Sequence, residues 1–241
     1  MYEDTYISLL KEEFPECDFI HLGRGGATII DLYKHSTYYH GTLKPDLVFM
    51  QCGIVDCAPR ALTVMEQQVL TRLPVLGRPL TTLVRKYSKA LRKARKMTYT
   101  PVETFAEYVA RFEVLFGDVH WIGILPATEA YETKLEGICR NIEIYNAALR
   151  RNKYIDTGHF HAFDIMADFH HLNCNGHRKM FEALLPIIRR EMGVSGSFGA
   201  VSDGPIVGCK SGVSASTTLP IENSTARRLR GVVSQLQAVR I

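Results

Sequence analysis

The sequence predicts an α/β domain built on a mainly parallel sheet. Three observations predict it. Short, strongly apolar runs alternate with longer stretches of helical periodicity. The runs are apolar nearly throughout rather than at every second residue, as strands buried on both faces of a parallel sheet must be. Glycine or proline follows three of them, at the carboxyl ends where open α/β sheets form their ligand crevices.

Four runs read as buried strands: residues 18–22 (DFIHL), 46–51 (DLVFMQ), 119–125 (VHWIGIL) and 161–166 (HAFDIM). Each is too short for a helix and rich in β-branched or aromatic residues. Helical patterns lie between them. Thr100-Pro101-Val102-Glu103 has the form of a helix start, with Thr100 as N-cap, Pro101 in the first turn and Glu103 three residues on. Phe105, Tyr108, Val109, Phe112, Leu115 and Phe116 then recur at helical spacing. Residues 138–151 do so through Ile142, Tyr145 and Leu149, and residues 177–192 through Met180, Leu184, Leu185 and Ile188. The last of these stops at Gly193 with basic residues in its final turn. Pro186 within it is a candidate kink.

Composition bounds the function. The 241 residues are 46% hydrophobic and 22% charged, which excludes a disordered chain. Six cysteines without a C-x-x-C pair exclude a disulfide mini-protein and suit a reducing, cytoplasmic setting. The formal charge of +4 does not point to nucleic acid. No apolar run approaches the ~20 residues of a membrane span, and the acidic start lacks the pattern of an export signal. The sequence therefore predicts no nucleic-acid partner and no membrane partner, and it leaves the oligomeric state open.

Two segments stand apart from the domain at residues 1–192. Residues 74–97 carry Arg85, Lys86, Lys89, Arg92, Lys93, Arg95 and Lys96. They suit a solvated helix face, or a surface for an anionic polymer such as an acidic glycan. Residues 193–241 begin as a Gly/Ser/Thr-rich linker or tail, and residues 222–239 regain helical character.

The densest chemistry is Asp168-Phe-His-His171-Leu-Asn173-Cys-Asn-Gly176-His177. An Asp three residues before a His can hold that imidazole in one tautomer, so that it works as general base and then general acid. The plainer alternative is a polar loop with a helix cap. Gly23-Arg24-Gly25-Gly26-Ala27-Thr28 follows the first strand and lacks the last glycine of a dinucleotide fingerprint. Its backbone amides could stabilise an oxyanion, or it is only a strand-to-helix turn. Gly53-Ile54-Val55-Asp56-Cys57-Ala-Pro59-Arg60 follows the second strand. Asp56 there is a candidate active-site carboxylate or a helix cap. Cys52 and Cys57 are candidate nucleophiles or inert buried thiols. His159, His161, His170, His171, Cys174 and His177 cluster in sequence but match no zinc signature, so no metal and no cofactor is predicted.

Taken together, these segments resemble the SGNH/GDSL hydrolase family. The resemblance spans roughly residues 1–192. It implies a flavodoxin-like three-layer α/β sandwich and a Ser-His-Asp triad. Gly26-Ala-Thr28 resembles the second sequence block, which would make the Gly26 amide an oxyanion donor. Gly53-Ile54-Val55-Asp56 resembles the third block, G-x-N-D, and Arg60 completes a form found among polysaccharide-biosynthesis genes. Asp168, His171, Leu172, Asn173, Gly176 and His177 match the extended fifth block, D-x-x-H-L-N-x-x-G-H. His171 and Asp168 would then be catalytic, and Gly53, Asp56 and Arg60 would be candidate active-site residues.

Two departures stand out. Val55 occupies the place of the oxyanion-hole Asn, so Arg60 or a backbone amide would have to compensate. The first block, a strand ending in G-D-S, has no counterpart, because residues 2–10 resemble the helix that follows it. Residues 205–216 look like a strand and nucleophile loop, which makes Ser211 and Ser214 candidate nucleophiles. Residues 205–241 then read as a partial second copy or a permuted first strand, or as a tail of accidental similarity. The implied activity is hydrolysis of an O-acyl ester, with a small-molecule or glycan ester as substrate. Acyl transfer by the same site, a non-catalytic glycan- or protein-binding module, and a thiol or metal hydrolase remain alternatives.

Overall fold

The computed structural model describes residues 5–39, 42–73, 77–193 and 233–240. Helix α1 (Tyr6–Glu13) starts where the Thr5 hydroxyl accepts a hydrogen bond from the Ser8 amide. Strand β1 (Asp18–Gly25), helix α2 (Ile29–Tyr39) and strand β2 (Leu47–Gln51) follow. A short helix α3 (Ile54–Cys57) precedes three surface helices, α4 (Val64–Arg72), α5 (Gly77–Lys86) and α6 (Ser88–Arg95). The domain resumes with α7 (Val102–Phe116), β3 (Val119–Ile122), α8 (Glu129–Lys134), α9 (Ile138–Leu149) and β4 (Lys153–Ile155). A 3₁₀ turn at Ala162–Asp164 leads to α10 (Cys174–Glu191), and β5 (Val233–Arg240) is the last element described.

The strands form one sheet in the order β1-β5-β2-β3-β4. β2, β3 and β4 are parallel. β5 lies between β1 and β2, antiparallel to both, so β1 and β2 run in the same direction. This is the mainly parallel α/β architecture that the sequence predicts. The pleat of β2 sends alternate residues into two cores. Val48 and Met50 pack with Leu32 of α2, Phe105 and Phe112 of α7, and Ile142 of α9. Leu47 and Phe49 pack with Tyr6 and Leu10 of α1 and with Met180 and Leu184 of α10. Helices thus cover both faces of the sheet, giving three layers. Burying each such side chain stabilises by ~1.5–3 kcal/mol, so the two cores rather than local propensity hold these helices.

Three sequence expectations are corrected. Residues 161–166 are not a strand. The Asp164 carboxylate accepts from the His161 amide at 2.9 Å and from Lys179 Nζ at 2.7 Å, which folds the segment into a turn. The fourth strand is instead β4, whose three residues are too few to carry a period. Thr100 does not cap α7; Pro101 takes that place, and the Thr100 hydroxyl donates to Asp56 Oδ1 at 2.5 Å. Within the stretch expected to be helical, Val233–Arg240 is a strand. An open edge on each side of it offers a full ladder of hydrogen bonds, which outweighs a weak helical period. Residues 194–232, including Ser211 and Ser214, lie outside the described residues. Helix α10 runs unbroken through Pro186.

Candidate active site

The Asp168–His171 pair is built by the turn that enters α10. Ile165 and Leu172 form an antiparallel bridge, and the Met166 amide donates to the His171 carbonyl at 2.7 Å. That closes a tight loop over residues 166–171. Phe169 sits inside it at φ +74°, a left-handed conformation that bulky residues rarely adopt. Its ring stacks on Tyr131 at 5.3 Å with Lys134 Nζ 4.9 Å above it, and these contacts hold the strained residue in place. The turn brings the amides of His170 and His171 to Asp168 Oδ1, at 3.3 and 3.1 Å. The other carboxylate oxygen, Oδ2, lies 2.5 Å from His171 Nδ1. Burial works to raise the Asp168 pKa, but these hydrogen bonds outweigh it and leave the carboxyl below its ordinary value.

The rest of the block anchors this loop. Asn173 caps α10 by accepting from the Gly176 amide at 3.1 Å, and its Nδ2 donates to the Phe163 carbonyl at 2.6 Å. Gly176 packs so closely that a Cβ there would lie 2.1 Å from the Asp164 carbonyl oxygen. His177 Nδ1 accepts from the Tyr6 amide at 3.4 Å, tying α10 to the start of α1.

His171 borders a cavity of about 480 Å³, shared by α1, the carboxyl ends of β2 and β3, and the loop before α10. Ile7, Ile54, Ile124, Leu125, Met166 and Leu172 give it apolar walls, and Lys11, His21 and Gln51 give it polar ones. Thr5 and Ser8 line it too, with their hydroxyl oxygens 3.0 Å apart. Sequence reasoning passed over both, because it read residues 2–10 only as a helix that follows a missing motif. The cap pattern Thr5-x-x-Ser8 at the head of an amphipathic helix was the available signal.

Several other candidates are placed elsewhere. Gly26 adopts φ +71° at the turn after β1, but it is not among the residues that line the large cavity. Gly23 and Arg24, at the carboxyl end of β1, line a separate space of about 170 Å³. Gly53 sits at φ +112° between two cavity-lining residues, and a Cβ on it would meet Ile124 Cδ1 at 2.6 Å. The backbone there packs closely against Ile124 and Phe105. Asp56 is fully buried and away from the cavity. It accepts from the Ile29 amide at 3.0 Å and from the Thr100 hydroxyl, fastening the starts of α2 and α7 to α3. Burial pushes its pKa up to about 6 against the pull of those hydrogen bonds. Asp56 is therefore neither a cavity carboxylate nor a cap of its own helix. Arg60 Nη2 donates to the Val55 carbonyl at 3.1 Å, and its guanidinium stacks 4.0 Å above Tyr99. It is not among the residues that line the cavity.

The thiol alternative finds little support in the geometry. Cys52 lines the cavity, but burial and then the neighbouring Asp56 hold its pKa well above the ordinary thiol value. Burial raises Cys57 likewise. A thiol so disfavoured as thiolate is a poor nucleophile. Of the sequence cluster of possible ligands, only His170 and His171 join Asp168 with donor atoms within 4.8 Å of one another. There Asp168 Oδ2 already binds His171 Nδ1 directly.

No protein-family model matches the chain, and no curated protein matches it. Solved structures similar to this chain include the following two. One is LAE5, an alpha/beta hydrolase enzyme from the metagenome of Lake Arreo, Spain. It shares 19% identity over 80% of this chain and 84% of its own, with a TM-score of 0.46. The other is a variant of Axe2, an acetyl-xylooligosaccharide esterase from Geobacillus Stearmophilus. It shares 17% identity over 78% of this chain and 81% of its own, with a TM-score of 0.44.

Proposed function

We propose that this chain is an ester hydrolase of the SGNH type, acting on an O-acyl group carried by a carbohydrate. The observation that carries the reading is the Asp168–His171 pair, hydrogen-bonded at 2.5 Å on the border of a 480 Å³ cavity. The apolar walls suit the acyl group, and the polar side formed by Lys11, His21 and Gln51 suits a hydroxylated alcohol.

In this mechanism a side-chain hydroxyl attacks the acyl carbon while His171 Nε2 takes its proton. Asp168 keeps Nδ1 protonated and stabilises the imidazolium. The imidazolium then gives its proton to the departing sugar oxygen, leaving an acyl-enzyme. Water attacks that ester by the same route and releases the acid and the original hydroxyl. A second sugar hydroxyl in place of water gives acyl transfer. The cavity supplies Ser8 and Thr5 as candidates for the attacking group, and the sequence supplies Ser211 and Ser214.

Labelling the full chain with a fluorophosphonate probe, followed by peptide mapping, tests the proposal. A label on one hydroxyl that disappears in His171→Ala supports it and identifies the nucleophile. A folded protein that takes no label overturns it and favours the non-catalytic binding module.

A further inference from the structure

We infer that α5 and α6 form a docking surface for an anionic lipid bilayer. The two helices carry a periodicity that the domain does not use. Leu80, Leu83, Tyr87 and Leu91 follow one another at steps of three and four, making one apolar stripe along the consecutive helices. A stripe of this kind normally faces a core. Here Leu80, Leu83 and Tyr87 are 36, 52 and 50% exposed, and neither core includes any of the four residues. The neighbouring α4 buries none of its residues and exposes Met65 and Val69, 74 and 54%, one turn apart. Its contact with α5 is set by Gly77, where a Cβ would lie 2.3 Å from the Leu70 carbonyl oxygen. Two helices are thus held together with their apolar side chains facing outward.

Charge identifies the occupant. Residues 73–97 contain Arg78, Arg85, Lys86, Lys89, Arg92, Lys93, Arg95 and Lys96, and neither Asp nor Glu. This one segment therefore exceeds the +4 of the whole chain. Arg95 pairs with Glu66 and Lys93 with Glu136. The other six cations have no ion-pair partner among the described residues. In α5, Arg78 and Arg85 project from the side opposite the stripe and Lys86 from its flank, the distribution of helices that lie in a membrane interface. Long basic side chains reach anionic headgroups while the stripe enters the acyl boundary. A glycan or nucleic acid would engage the cations and leave the leucines in water. No described helix is long and apolar enough to span a membrane. Lying on a bilayer needs only an exposed amphipathic face.

Sedimentation of the full chain with phosphatidylcholine vesicles, alone or mixed with phosphatidylglycerol, tests the inference. The expected result is at least ~10-fold stronger partitioning onto the mixed vesicles, weakening as salt screens the cations. The double variants Lys86→Glu/Lys89→Glu and Leu83→Ser/Tyr87→Ser should each reduce it by ~10-fold or more, with an unchanged melting temperature and unchanged probe labelling. Three results would overturn the inference. One is no preference for the mixed vesicles. Another is full binding by Leu83→Ser/Tyr87→Ser together with equally tight binding to dextran sulfate, which marks a polyanion surface. The third is a dimer in solution that Leu83→Ser/Tyr87→Ser dissociates, which marks a second copy as the occupant.

Discussion

Replacing Asp168 by Asn removes one charge and one acceptor, and the geometry dictates the consequences. The two carboxylate oxygens are not interchangeable, since Oδ1 receives the two loop amides and Oδ2 receives His171 Nδ1. An amide side chain has a single oxygen and cannot do both. If the oxygen stays with the loop amides, an NH₂ faces His171 and forces Nδ1 to accept, so Nε2 carries the proton and cannot act as base. If the oxygen turns to His171, the amides of His170 and His171 face an NH₂ and the strained turn at Phe169 loses its closure. In the first case the base is lost, and in the second it sits on a loosened turn; the expected fall in kcat/KM is ~10³–10⁴-fold, or roughly 4–5 kcal/mol of barrier. Stability should change far less, by about 1 kcal/mol or under, because the pair is partly exposed. The assay is release of a chromogenic acyl ester across pH 5–9, beside a melting curve. The wild-type carboxyl lies below its ordinary pKa of ~3.9, so it stays ionised throughout that range. Retention of more than ~10% of activity by Asp168→Asn, while His171→Ala is dead, would refute the orienting role.

Three further predictions concern the frame around the site. Gly176→Ala should destabilise the protein by more than ~2 kcal/mol in urea titration, because its Cβ meets a backbone oxygen; Gly26→Ala, with open space around it, should cost only the left-handed penalty of ~1–2 kcal/mol. Asp56 should make stability fall as pH rises. Its pKa is about 6 when folded against ~3.9 unfolded, so the native state binds more protons between about pH 4 and 6. The loss across that window is roughly 3 kcal/mol, and urea midpoints for Asp56→Asn should be nearly flat over it. Cys52→Ser should keep ester-hydrolase activity within ~3-fold; a loss of about 10³-fold or more would revive the thiol mechanism.

Much of this architecture was legible because burial imposes its pattern locally. β2 and β3 are covered on both faces, so their sequences are apolar nearly throughout and need no context to be recognised. The D-x-x-H pair was legible for a related reason: three residues of turn are enough to bring carboxylate to imidazole, whatever the rest of the chain does. Where the sequence misled, distant groups competed with local preference. Thr100 reads as a cap but donates across the fold to Asp56. Residues 161–166 look apolar enough for a strand but close into a turn around Asp164 and Lys179.

The sequence by itself determined which segments are buried and which two residues pair at the head of α10, because both follow from hydrophobic spacing and short-range geometry. Only the tertiary structure decided three other matters. It put Thr5 and Ser8 on the same cavity as His171, moved Asp56 and Arg60 away from it, and set β5 antiparallel between β1 and β2. Each depends on which hydrogen-bonding groups and surfaces remain unmatched once the rest of the chain has packed. That remainder belongs to the whole fold and is written in no single stretch of it.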